Sequence, residues 1–384
     1  MSAYLPDQER AVRLLHRVRD WRESRLISDA QHDRMAADLE TGLRRTNVFL
    51  RGTLFVLGVV IASAATGLLA AIFRPGQYTV WLLFAAAAIA CYAGARVLVS
   101  SYRLYRFGIE EAGAVSAILF TGAAVAMLFE PFMNDNRAFA LGFMSAAVAG
   151  FLVFFHFGLV YAAIIGMAAA ALAPFPLLES DVASRSIAAV LMAAIFVGAR
   201  LQRDQHGDEF PGDNYALIET GAWGGIYLVM NLRVSWWLAY PDEAGAFYWM
   251  TYAAIWMLPA AGLWIAIRER HRYLLDLNIL LAIVTMMSNK PYLNAERKPW
   301  DPIAFGILMI AIALGLRRWL GSGEGGARNG VVAFRLLASE RQRLSLAGNV
   351  SVVQPSLHPQ HGPEEPKPGF GGGRSGGAGA SGKF

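Results

Sequence analysis

Along this chain, apolar runs of 16 to 22 residues alternate with short polar, mostly charged segments. The runs fall at about 52–73, 79–100, 109–129, 138–156, 158–176, 185–200, 215–232, 246–267, 273–289 and 302–320. A helix rising ~1.5 Å per residue needs about 20 apolar residues to cross a hydrocarbon layer of ~30 Å. Each run therefore reads as a membrane-spanning helix, with 185–200 and 273–289 at the short limit. Between Ala138 and Pro176 there is no formal charge over about twice one span. That stretch predicts a hairpin turning at His156-Phe157-Gly158. An even count of about ten spans places both termini on one side.

The two ends of the chain have other rhythms. Leu14, Leu15, Val18 and Trp21 mark one side of a helix over about 6–25. Ser28 with Gln31 three residues on reads as the capping box of a second helix carrying Met35, Leu39 and Leu43. From Gln354 to Phe384, Gly and Pro supply 14 of 31 residues, a composition that builds no core and predicts a disordered tail. Before it, Val331 to Leu346, with Arg335, Arg341 and Arg343, suggests a short helix lying on the membrane. The expected fold class is all-α: a cytoplasmic two-helix domain (1–48), a polytopic membrane bundle of about ten helices (49–320), a juxtamembrane segment (321–353) and the tail (354–384).

Composition agrees and narrows the class. The chain is 55% hydrophobic and 16% charged, with a mean hydropathy of +0.39. Soluble domains average about 25% charged residues, so a soluble enzyme, a disordered protein and a disulfide scaffold are all excluded. Cys91, the single cysteine, can form neither an intrachain disulfide nor a Cys-based metal site. The net charge of +5 comes from basic residues that flank apolar runs. With a cytoplasmic N-terminus, fourteen arginines near span ends fall inside, against seven Arg or Lys outside, which favours both termini in the cytoplasm. Trp81, Trp236, Trp237, Tyr240, Trp249, Tyr292 and Trp300 would then form an outer aromatic belt. The expected partner is the lipid bilayer. No basic stretch interleaves aromatics as single-strand binders do, so no nucleic acid is expected.

The pattern Trp21-x-x-x-x-Leu26-Ile27-Ser28-x-x-Gln31, followed by a Gly-rich first span (Gly52, Gly58, Gly67), resembles a family of uncharacterised bacterial multi-spanning membrane proteins with a short helical N-terminal domain. The resemblance covers residues 14–70 or so and implies a multi-pass protein of the bacterial inner membrane. One position departs from it. The family often has Gly before the Leu-Ile pair, where this chain has Arg25. A non-Gly residue in a left-handed turn costs on the order of 1 kcal/mol, so a differently built turn is expected here.

No familiar catalytic motif is present: no His-Glu-x-x-His, Gly-x-Ser-x-Gly, phosphate-binding loop or dinucleotide fingerprint. No catalytic residue, cofactor or metal site is assigned. The loop holding His206, Asp208, Glu209 and Asp213 reads as a solvated turn, and His156 as an interfacial residue. The acids at membrane depth carry more information. Glu110 and Glu111 open the third span, Glu219 lies one turn into the seventh, and Asp276 one turn into the ninth, near Asn278. Two readings stand. These five residues line a polar cavity at the cytoplasmic side, suited to a small cation or amine, since ionisable groups within spans default to function. Or helix dipoles and arginines such as Arg103, Arg106, Arg200 and Arg272 simply neutralise them. The corresponding functions are a transporter-like protein and a non-catalytic envelope scaffold binding protein partners through its cytoplasmic ends. A membrane enzyme on lipid or glycan carriers comes third. Stripes of small residues (Ala86, Ala90, Gly94; Gly113, Ala117, Thr121; Gly221, Gly225) allow close helix packing within the bundle or a dimer face.

Overall fold

A computed structural model describes residues 3–4, 6–206, 214–235 and 245–293, together with scattered positions from 295 to 332. Two short helices come first, α1 (Pro6–Glu23) and α2 (Asp29–Asp38). Ten more follow: α3 (Val48–Phe73), α4 (Val80–Ser100), α5 (Ile109–Phe129), α6 (Asp135–Phe157), α7 (Val160–Leu172), the one-turn α8 (Pro174–Leu177), α9 (Asp181–His206), α10 (Asn214–Met230), α11 (Ala246–Glu269) and α12 (Arg272–Tyr292). Among the described residues, seven segments are long and apolar enough to cross a membrane: Val48–Phe73, Val80–Ser100, Ile109–Phe132, Asp135–Phe157, Val160–Leu177, Asp181–Gln205 and Ala246–Glu269.

Two of the expected spans form helices outside that set. The 17 residues of α10 reach only ~26 Å. Helix α12 carries Arg272, Asp276 and Lys290 within its 21 residues. The run at 302–320 is described only at scattered positions, which are helical. The charged loop Gly207–Asp213, the side chain of His206 and everything from 333 on, including the expected tail, lie outside the described residues. Of the expected helix from Val331 to Leu346 only Val331 and Val332 are among the described residues, and they are not helical. Val331–Val332 instead pairs antiparallel with Ala327–Arg328, and the sequence between them is Asn329-Gly330, the pair most favoured for a two-residue hairpin link.

Two helices organise the packing. Helix α5 contacts α3, α4 and α6, and α10 contacts α7, α9, α11 and α12. The α6–α7 hairpin turns where the sequence placed it: Gly158 adopts φ +68° in the left-handed region, and its N–H donates to the Phe154 carbonyl. Of the small-residue stripes, Gly113 packs against the Cys91 carbonyl of α4, and Gly221 and Gly225 against Met167 and Met192. A Cβ added at Gly94 would meet nothing, so that stripe faces outward.

The N-terminal segment has no separate core; it docks on one end of the bundle, here termed the proximal end. The Ala3 N–H donates to the His156 carbonyl (2.6 Å), and the Tyr4 hydroxyl to that of Leu104 (3.3 Å). The Tyr4 and Tyr105 rings meet edge-on at 4.9 Å. Burial, reinforced by the nearby Glu110 carboxylate, pushes the Tyr4 phenol well above its usual pKa, so it stays a donor. A lone parallel bridge ties Arg44 to Leu104, with Arg44 N–H donating to the Arg103 carbonyl (2.9 Å) and Tyr105 N–H to that of Arg44 (3.0 Å). Glu9, Val12 and Val18 of α1 are buried; of the expected stripe, Val18 is buried and Leu15 half-buried, whereas Leu14 and Trp21 are more than a third exposed.

The turn after α1 is also a correction. Arg25 takes φ +58°, its N–H donates to the Arg22 carbonyl, and the Leu26 N–H donates to the Trp21 carbonyl. This is the Schellman closure that usually employs glycine, here with arginine in the left-handed position. Ser28 and Gln31 then exchange both hydrogen bonds of the expected capping box. Arg25→Gly should relieve about 1 kcal/mol of backbone strain. The full chain in detergent should melt a few degrees higher; a lower melting temperature would show that the arginine side chain contributes more than its backbone strain costs.

Candidate functional site

Charged side chains enter the bundle at its proximal end in two clusters. The first begins where α5 starts. Gly108, with φ +111°, precedes the helix, and a Cβ there would overlap the Arg51 carbonyl oxygen, so only glycine lets α3 and α5 approach so closely. Glu110 folds back to accept the Phe107 N–H (2.6 Å), capping its own helix. Glu111 points across to α3, where Arg51 grips it with two hydrogen bonds of 2.8 and 2.5 Å. Such a two-pronged guanidinium–carboxylate contact fixes orientation as well as charge. Tyr161 of α7 lies within electrostatic reach of this pair.

The second cluster joins four helices around Glu219, which is fully buried. Arg203 of α9 donates to Glu219 (2.6 Å) and to Glu269 at the end of α11 (3.1 Å), and Arg200 also pairs with Glu269. His271 approaches from the link between α11 and α12, its Nε2 3.5 Å from the Glu219 carboxylate. The shape of that link explains its aim. Arg270 takes φ +55°, its N–H donates to the Ile267 carbonyl, and the His271 N–H donates to that of Ala266, a second Schellman closure. The His271 Nδ1 then accepts the Leu274 N–H (3.1 Å), capping α12. With Nδ1 as acceptor, the proton of the neutral ring sits on Nε2, which faces Glu219.

From this cluster a seam of buried polar groups runs along the α10–α12 contact to the opposite, distal end. Trp223 donates to Asn278 (2.9 Å), and Tyr227 shares a hydrogen bond with Thr285 (2.9 Å). Asn231 reaches both Tyr227 (3.0 Å) and Ser288 (3.1 Å), and Tyr292 accepts the Leu232 N–H (2.8 Å). Asn278 also donates to the Leu274 carbonyl (2.7 Å), and a Cβ at Gly262 of α11 would overlap its amide. At the distal end the fully buried Arg185 donates to the Val229 carbonyl (2.6 Å) and to the hydroxyl and carbonyl of Ser235 (2.9 Å each). Tyr292, expected in an outer belt, is inside the seam.

The five residues singled out in the sequence thus divide. Glu110 and Glu111 are buried at the α3–α5 contact, Glu219 in the four-helix cluster and Asn278 in the seam. Asp276 lies on the outer face of α12, its side chain 65% exposed and 3.8 Å from Arg272. The partners of the buried acids are Arg51 and Arg203, not the arginines nearest in the expected loops. Sequence reasoning also missed His271, Glu269 and the seam. The signal was present: Glu219, Trp223, Tyr227 and Asn231 recur every four residues, and His271, Asn278, Thr285 and Tyr292 every seven. Among the described residues, no three His, Cys, Asp or Glu side chains gather to hold a metal ion.

No family model, curated protein or solved structure matches this chain.

Removing one member of a buried ion pair strands the other and typically costs ~3–5 kcal/mol, whereas removing both costs far less. Arg203→Gln should therefore lower the melting temperature in detergent markedly, and adding Glu219→Gln should restore much of the loss. Two simply additive losses would show that the pair is not coupled.

Proposed function

We propose that this chain is an integral protein of the bacterial inner membrane with about ten spans and both termini in the cytoplasm, acting as a non-catalytic scaffold. The seven membrane-length helices support the first part. The observation that carries the scaffold reading is that Glu111 and Glu219 each end on a guanidinium from a neighbouring helix, Arg51 and Arg203. Carboxylates so neutralised tie helices together rather than bind a mobile cation. The seam supports the same reading. An indole N–H donates but does not accept, so Trp223 cannot pass a proton between Glu219 and the hydroxyls beyond it. The partners would be proteins meeting the docked N-terminal helices, where Leu14, Trp21 and Leu26 stay exposed.

One observation favours the transporter-like reading instead. Glu110 Oε2 and Glu219 Oε1 are buried and accept no hydrogen bond among the described residues. A small cation or amine would satisfy them. Proteoliposomes decide between the two. The scaffold predicts proton and monovalent-cation leaks equal to those of protein-free vesicles. A flux abolished by Glu219→Gln would replace it with transport. Orientation is tested separately by reporter fusions, expected to be cytoplasmic after Gly207 and Arg328 and periplasmic near Glu179; a periplasmic signal at Arg328 would mean an odd number of spans.

A further inference from the structure

Helices α4, α5 and α6 leave a groove of about 560 Å³ on the bundle surface. Its floor is made of small side chains, Ala88, Ala117 and Ala149. Ile89, Leu152 and Phe155 form its rim and are 70%, 63% and 49% exposed, so it opens sideways, away from the bundle axis. The hydroxyl of Thr121 in its wall already donates to the Ala117 carbonyl (2.7 Å). That satisfied wall offers a ligand shape and apolar surface but little to hydrogen-bond.

The proximal mouth is different. Tyr92 and His156 face each other there, their rings 5.8 Å apart. Arg96 lies one turn beyond Tyr92 on the same stripe of α4, since residues four apart stack on one helix face, and it is exposed. Ala88 to Arg96 covers about 12 Å of helix, close to the ~15 Å hydrocarbon depth of one leaflet. The arrangement is thus an apolar slot open to lipid, with a cation at headgroup level.

We propose that this groove holds one acyl chain of an anionic phospholipid from the leaflet at the proximal end, with its phosphate on Arg96. This rests on the membrane reading above. One cation at the headgroup level is worth about fivefold in preference for an anionic lipid.

The test uses the full chain purified in neutral detergent with equal amounts of phosphatidylglycerol and phosphatidylcholine of identical acyl chains. Native mass spectrometry counts what is retained. The expected result is one lipid per chain, with phosphatidylglycerol favoured about fivefold. Arg96→Gln should level that preference, and Ala149→Phe, which fills the floor, should remove the retained lipid of both kinds. Unchanged retention in a folded Ala149→Phe protein overturns the site, as does an unchanged preference in Arg96→Gln. Arg96→Gln alters only an exposed side chain, so it decides the matter even if Ala149→Phe is not recovered folded. A dimer covering the groove would overturn the proposal in favour of a second copy. Alkaline washing of membranes tests the membrane reading on its own: a chain that stays integrated yet retains no lipid overturns only the lipid site.

Discussion

Because Glu219 is fully buried, its charge must be answered from within the bundle, and that requirement fixes much of the second half of the molecule. An uncompensated carboxylate in an apolar interior costs several kcal/mol. Arg203 answers it from α9, and His271 comes up beside it from the turn before α12. Arg203 also holds Glu269, so the end of α11 is drawn to the same point. Four helices converge on one carboxylate. The Arg51–Glu111 pair does the equivalent for α3 and α5, with glycine at position 108 permitting the approach.

The seam extends that logic along the bundle. Two helices that lose no water on meeting in lipid must hold together by packing and by hydrogen bonds, and each such bond between helices is worth about 0.6 kcal/mol. The α10–α12 contact supplies several in succession, at a spacing that keeps them on one face of each helix. These two helices fall outside the seven membrane-length segments, α10 because it has only 17 residues and α12 because charged and polar residues lower its hydropathy; the seam groups of both are turned inward and satisfied. Their polarity belongs to the contact rather than to water.

This separates what could be read from the sequence and what could not. Apolar runs place the helices to within a few residues, because hydrocarbon thickness imposes length directly. The Gly158 turn and the Ser28–Gln31 box were equally legible, being local geometry. Pairing across the bundle was not. Nothing near Glu219 in sequence distinguishes Arg203 from Arg200, and only the fold shows that Asp276, one turn into its helix, faces outward. The Arg25 turn misled for a subtler reason: a strained residue is avoided on average, yet surrounding hydrogen bonds can still impose it.

Among the described residues, five non-glycine residues lie in the left-handed region, and all are arginines: Arg25, Arg74, Arg103, Arg106 and Arg270. At Arg270 the turn that needs a left-handed residue is also the short link joining α11 to α12. Glycine would close that link without strain but would leave it uncharged. In the orientation proposed above, a cation in so short a link would resist translocation during insertion and hold both helix ends on the side where synthesis began. The same side chain sits where carbonyl dipoles point outward, and so is favoured electrostatically. In that orientation, a residue poorly suited to the folded turn would be well suited to its biogenesis, its strain the counterpart of a signal read before the bundle forms.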